Sequence, residues 1–174
     1  LAIIICPSVS SFHTDKGTWN PDGKIENVGI QNINEQHLTS YPSDSEVCFK
    51  GITGIDPGYC DYTFTKYNNT EDSPLSVAIT FRSVLRKTYT LCSQGDGSLG
   101  LMEGELPDKI EGTICPYIFH MSKFAAGDGS YLFQCADGSG QYLSYNEHNQ
   151  AVLKDAPDVS EDNTCKMTVI HEQM

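Results

Sequence analysis

Residues Tyr131–Lys154, YLFQCADGSGQYLSYNEHNQAVLK, read as strand, turn, strand, polar loop, strand. Strand-favouring residues fill 131–135, 142–145 and 151–154. Asp137-Gly138 supplies the positive φ that a tight hairpin turn needs. The middle of this stretch recurs twice upstream. Leu38-Thr-Ser-Tyr41 leads to Val47-Cys-Phe49, and Tyr89-Thr-Leu-Cys92 leads to Leu99-Gly-Leu101, as Leu143-Ser-Tyr145 leads to Val152-Leu153.

A second landmark follows each copy: Cys60-Asp-Tyr-Thr-Phe64, Cys115-Pro-Tyr-Ile-Phe119 and Cys165-Lys-Met-Thr-Val169. A period of about 50 residues signals copies of one supersecondary unit. Three copies of a four-strand unit are too few for a seven-bladed propeller. They predict an all-β protein, a β-trefoil of twelve short strands with pseudo-three-fold symmetry; chance recurrence in a β-rich chain is the alternative. Tyr62, Phe64, Phe119, Leu143 and Val169 are expected in its core. The expected division is an N-terminal extension at 1–23 and the trefoil domain at 24–174.

The net charge of −12 argues against nucleic acid and anionic membrane as partners. Seven cysteines occur without CxxC pairs or His-x₃-His spacing, which leaves no credible zinc site. Their odd number and their place in apolar strand patterns point to mostly reduced thiols and folding in a reducing compartment. LAIIIC at the start is too short for a signal-peptide core and lacks a basic flank, and no stretch could span a bilayer. The expected protein is a monomer without a cofactor.

Along the chain, Asn20-Pro-Asp-Gly23 reads as a strong turn. Lys24–Ile33 reads as the first strand, with Ile25, Val28, Ile30 and Ile33 inward. Asp61–Lys66 alternates cleanly. Tyr67–Pro74 reads as a loop and carries the glycosylation-acceptor pattern Asn68-Asn69-Thr70. Leu75–Phe81 puts Leu75, Val77, Ile79 and Phe81 on one face. Arg82, Arg86 and Lys87 form the one concentrated basic patch, read as a solvated loop, and Glu103–Gly112 reads as a long acidic loop.

Gly-Asp-Gly-Ser at 95–98 and 127–130 and Asp-Gly-Ser-Gly at 137–140 lack calcium-loop spacing and are explained by turns. No GxSxG elbow, Walker loop or dinucleotide fingerprint occurs. A Cys115–His120 dyad is the one nucleophile pairing that sequence offers, and near pairs are expected by chance in this composition. The reading is a binding module, not an enzyme.

Phe133-Gln-Cys-Ala136, then Tyr142-Leu-Ser-Tyr145, then Leu153, resembles the signature of the interleukin-1 family of cytokines. Cys135, Ser139 and Tyr145 depart from its Ser, Pro and Thr. Residues 74–92, 99–107, 117–123 and 167–169 resemble the family's middle and last strands in order, so the resemblance covers about residues 24–170. It implies a β-trefoil that is secreted without a leader, after release from a precursor. Its partners would be a cell-surface receptor and co-receptor with immunoglobulin-like ectodomains.

By position, the implied receptor-facing candidates are Gln31, Asn34 and Glu35, then Lys109, Glu111 and Lys123. None matches a fixed family residue, so they are surface positions. Before the last strand an activating member carries Asp and an antagonist carries Lys, and Thr164 stands there in this chain. The loop Asp155–Thr164 holds Asp155, Asp158, Glu161 and Asp162, a negative field that favours an agonist engaging its second receptor through this loop. A receptor antagonist is one alternative. A Kunitz-type trefoil protease inhibitor using Leu85–Lys87 is another. A trefoil lectin would carry Gln-x-Trp repeats, which the sole Trp19 rules out.

Overall fold

The computed structural model describes residues 17–51, 53, 57–70, 74–125 and 127–171. Thirteen strands build it: β1 (Thr18–Gln31), β2 (His37–Tyr41), β3 (Glu46–Lys50), β4 (Tyr62–Asn69), β5 (Leu75–Arg82), β6 (Thr88–Ser93) and β7 (Leu99–Glu103) come first. Then follow β8 (Ile110–Glu111), β9 (Phe119–Lys123), β10 (Ser130–Cys135), β11 (Tyr142–Tyr145), β12 (Ala151–Lys154) and β13 (Met167–His171). Helical structure among the described residues is limited to single 3-10 turns.

Six strands close a barrel. β1 pairs with β4, β4 with β5, β5 with β9, β9 with β10, β10 with β13, and β13 returns to β1, all antiparallel. The three repeats become three hairpins, β2–β3, β6–β7 and β11–β12, that cap one end of it. Their central pairs are Leu38 opposite Phe49, Leu91 opposite Leu101 and Leu143 opposite Leu153. All six side chains belong to the main core. The hairpins are tied to one another by Phe49 N–H to Asn149 O at 2.7 Å and by Leu153 N–H to Gly97 O at 2.7 Å. Each Cys landmark precedes a barrel strand, β4, β9 or β13. The fold is a β-trefoil, as the repeats predict.

Several expectations need correction. The first strand begins at Thr18, so the expected boundary at Gly23 and the Asn20–Gly23 turn fall inside β1. A register shift between Pro21 and Lys24 absorbs the proline and the positive φ of Gly23. β1 ends at Gln31, which leaves Ile33 in a loop and 43 % exposed. β4 runs on to Asn69, past the expected loop start. Val169 is only half buried, and Leu75 is 44 % exposed at its strand end, whereas Tyr62, Phe64, Phe119 and Leu143 are buried as expected.

The acidic stretch 103–112 is more than a loop, because it carries β8, a strand beyond the twelve expected. Ile110 of β8 pairs with Trp19 and fills a second apolar cluster with Tyr67, Ala78, Cys115, Ile118 and Ala136. That cluster lies outside the barrel. It explains why β5 is buried on both faces: Val77, Ile79 and Phe81 point into the barrel, while Ala78 packs in the second cluster with Ile110, on the strap formed by residues 103–112.

Among the described residues Cys48, Cys115, Cys135 and Cys165 are free thiols. Cys92 is disulfide-bonded. Residues 1–16 and 54–56, including part of the turn expected at Gly54–Gly58, lie outside the described residues.

Candidate functional site

The corner where β1 leaves the barrel for the cap is a fixed five-residue turn. Asn32 N–H donates to Gln36 O at 3.0 Å, and Glu35 N–H to Asn32 O at 3.1 Å. The Asn32 side chain is 3 % exposed, and its Oδ1 accepts from the N–H groups of Asn34 and Gln36, each at 3.0 Å. Glu35 takes φ +59° to close the turn. Held this way, Ile33, Asn34 and Glu35 all face solvent. Gln31 Nε2 lies 2.9 Å from His37 Nε2 at the base of the corner.

β11 joins this corner to the loop before the last strand. Asn34 Nδ2 reaches Tyr145 Oη at 3.4 Å, and the preceding Ser144 Oγ donates to Thr164 O at 2.9 Å. The structure therefore brings Asn34 and Thr164 to either side of one short strand. Asp162 caps the turn at 163–165: its Oδ1 accepts from Thr164 N–H at 3.0 Å and from Thr164 Oγ1 at 2.6 Å. Its Oδ2 pairs with Lys154 Nζ at 2.8 Å, and Lys154 also donates to Thr164 Oγ1 at 2.8 Å.

The hydrogen bond from Lys154, then that from Thr164, holds the Asp162 carboxyl below its ordinary range, and the same partnership with Asp162 raises Lys154. Asp162 and Thr164 are thus committed inside the loop. The expectation that Asp162 adds to a free negative field gives way to a structural role. Asp155, Asp158 and Glu161 remain exposed.

The other candidates lie elsewhere. Lys109 and Glu111 form an exposed ion pair at 3.5 Å on the strap. Glu111 sits opposite Thr18, thirteen positions of β1 away from Gln31. At the usual rise per strand residue that is roughly 40 Å of strand path. Lys123 ends β9 at the barrel end opposite the cap. Lys109 and Glu111 thus lie apart from the cap corner, whereas Lys123 sits three strands across from Gln31, through Tyr131 of β10 and the Met167–Thr168 end of β13.

The Cys115–His120 pairing is not built for nucleophilic work. His120 Nδ1 lies 2.8 Å from Ser76 Oγ. Burial pushes the Cys115 thiol up to about 11, which is the wrong direction for a thiolate at neutral pH. Among the described residues no group of three or more His, Cys, Asp or Glu could hold a metal ion.

Sequence reasoning leaves three features of these surfaces unread in whole or in part. Ile33 continues the alternation of the preceding strand, which predicts it inside. Tyr145 stands in a repeat motif, which points to a structural role alone. The third is the corner at 83–87, which the sequence offers as a solvated loop or, at Leu85–Lys87, as an inhibitor loop, without showing its turn. It repeats the turn at 32–36: Ser83 N–H donates to Lys87 O at 2.9 Å, Arg86 N–H to Ser83 O at 2.8 Å, and Arg86 takes φ +60°. The signal that finds it is the apolar Val84-Leu85 between cations, an unusual choice for a turn.

No protein-family profile matches the chain, and no curated protein sequence matches it. Solved structures do match. Chicken interleukin-1 beta superposes with a TM-score of 0.62 at 14 % identity, over 87 % of this chain and 98 % of that one. A point mutant of Gallus interleukin-1 beta gives 0.66 at 14 % identity, over 87 % and 99 %. SeviL, solved bound to the asialo-GM1 saccharide, gives 0.57 at 16 % identity, over 86 % and 99 %. At these identities the likeness is one of fold: an interleukin-1-like β-trefoil.

Proposed function

We propose, from this interleukin-1-like fold, that the chain is a cytokine recognised by receptors with immunoglobulin-like ectodomains. One observation carries the reading. The fold matches chicken interleukin-1 beta along nearly the whole of that protein, and the signature-like residues 133–136 and 142–145 fall on the strand–turn–strand of β10 and β11. The first receptor contact is the cap corner: Ile33, Asn34 and Glu35, with Tyr145 beside them. An exposed aliphatic and a half-buried tyrosine amid amides and one carboxylate suit a protein interface, where aromatic anchors sit among polar groups.

The chain acts as an agonist, with Asp155, Asp158 and Glu161 steering the second receptor. It works outside the cell, as a monomer and without catalysis. The runner-up inhibitor reading has less support. A protease cleft takes an extended segment, whereas Leu85–Lys87 sits in a tight turn with Arg86 in the left-handed region.

The test is binding to a panel of interleukin-1-receptor-like ectodomains by surface plasmon resonance. Wild type is expected to bind at least one. Tyr145→Ala with Glu35→Lys is expected to weaken that binding tenfold or more, the scale of an interface hot spot. Unchanged affinity removes the cap corner from the interface. Asp155, Asp158 and Glu161 changed together to Lys should keep first-receptor affinity and reduce signalling in receptor-bearing cells. Full signalling by that variant overturns the agonist assignment to this loop.

A further inference from the structure

The trefoil has three corners where a barrel strand turns into the cap: 32–36 after β1, 83–87 after β5 and 136–141 after β10. The third is small and polar, Ala-Asp-Gly-Ser-Gly-Gln, and uses Gly138 and Gly140 where φ is positive. The second obeys none of those preferences. Its tip is Val84-Leu85, 66 % and 78 % exposed, and the left-handed position is filled by Arg86 where glycine or asparagine is favoured.

Violations of local preference that bring no packing in return cluster at working surfaces. Neither aliphatic contributes to either apolar cluster. Arg82 and Arg86 flank them, both exposed, and neither forms an ion pair among the described residues. On a chain of net charge −12, this is a local reversal of sign around an apolar point. The reversal stops at the corner, because the adjoining groove of about 400 Å³ sets Glu26, Glu105 and Asp108 against Lys24 and Arg82.

We infer that the 83–87 corner is a second docking element, which inserts Val84 and Leu85 into an apolar pocket of a partner protein rimmed by carboxylates. The rim pairs with Arg82 and Arg86. Charge complementarity selects this occupant: an anionic bilayer would be attracted by two arginines and repelled by the rest of the molecule, and a second copy would bring another −12 with it. The inference deepens the receptor reading and rests on it. The two corners share one turn and occupy successive positions around the pseudo-three-fold, so they face different directions and would engage different ectodomains.

The experiment uses the full chain, with Val84→Ser/Leu85→Ser and Arg82→Glu/Arg86→Glu variants. Circular dichroism and thermal melting confirm their fold. Against the ectodomain panel, each variant is expected to lose tenfold or more for one ectodomain, whose binding survives Glu35→Lys. The loss through the arginine pair should shrink at high salt. If every ectodomain that binds wild type binds both variants equally, the inference is overturned.

If wild type binds no ectodomain, the receptor reading fails by itself. The corner is then decided by nuclear magnetic resonance titration with a peptide of alternating leucine and glutamate. Shifts at residues 82–88 that vanish in both variants support the docking chemistry, and no shift overturns it. Sedimentation with phosphatidylserine-containing vesicles that depends on Val84 and Leu85 would assign the corner to lipid and overturn the protein partner.

Discussion

The corners at 32–36 and 83–87 have the same backbone and opposite surfaces. Both close with one N–H from the first residue to the last carbonyl and a second from the fourth residue to the first, and both hold the fourth residue near φ +60°. At 32–36 the fixing group is a buried asparagine that accepts two backbone N–H groups. At 83–87 it is a serine whose Oγ accepts one, from Lys87 at 3.3 Å. The first presents Ile, Asn and Glu. The second presents Val, Leu and Arg. A trefoil needs its chain to turn at these points, and the cap below fixes where. What the turn displays is left free, so the difference between corners is not imposed by folding.

The largest expected effects lie beneath the corners, where the two should be alike. Leu38 and Leu91 are the cap leucines that follow them, and both are fully buried. Leu38→Ala and Leu91→Ala should each cost about 2–5 kcal/mol by chemical denaturation, the range for a buried leucine that leaves a cavity. A cost below about 0.5 kcal/mol at either site would mean that the two repeats are not packed equivalently.

Next in size is the turn-fixing group. Asn32→Ala strands two backbone donors near a buried side chain and should cost about 1–3 kcal/mol. Ser83→Ala removes one long, exposed hydrogen bond and should stay within about 0.5 kcal/mol. Equal losses would break the claim that the corners share a turn but differ in what secures it.

This contrast marks how far the sequence could be read. The repeats of Leu38, Leu91 and Leu143 expose the trefoil because a buried hairpin imposes alternation, and alternation survives in sequence. β8 escaped because two residues carry no period. Its strand character comes from Trp19 opposite Ile110, a pairing made across about ninety residues of chain. The candidate site was legible only in part. Asn34 and Glu35 are candidates by position, but Tyr145 joins them through a 3.4 Å contact with Asn34 that spans 111 residues. Asp162 looked like its acidic neighbours, and only its geometry with Lys154 and Thr164 removes it from the surface field.

Asp162 also supplies a smaller test near the first corner. Its carboxyl is depressed in the folded protein, so the stability it contributes is present above the ordinary carboxylate range and lost as pH falls through the lowered value. Asp162→Asn should remove the part of the acid-limb stability loss that belongs to this group, and at neutral pH it should cost at most about 1 kcal/mol for a half-exposed pair. Urea denaturation between neutral pH and pH 3 reads both. An acid limb identical to wild type would show that the Lys154 pair contributes nothing to stability.

The smallest effect is the sharpest test of the shared turn. Glu35 and Arg86 both sit in the left-handed region, where an L side chain is strained and glycine is not. Glu35→Gly and Arg86→Gly should each relieve that strain. The gain is offset in part by the freedom glycine adds to the unfolded chain, leaving a net change within about 1 kcal/mol of zero at each site. Because the backbone is the same, the two changes should agree in sign and size in parallel thermal melts. Opposite signs would mean that one side chain supports its turn through contacts the other lacks. If they agree, the glycine variants become clean reagents: each keeps its corner's backbone and deletes one charge, so any loss of partner binding is then a property of the side chain alone.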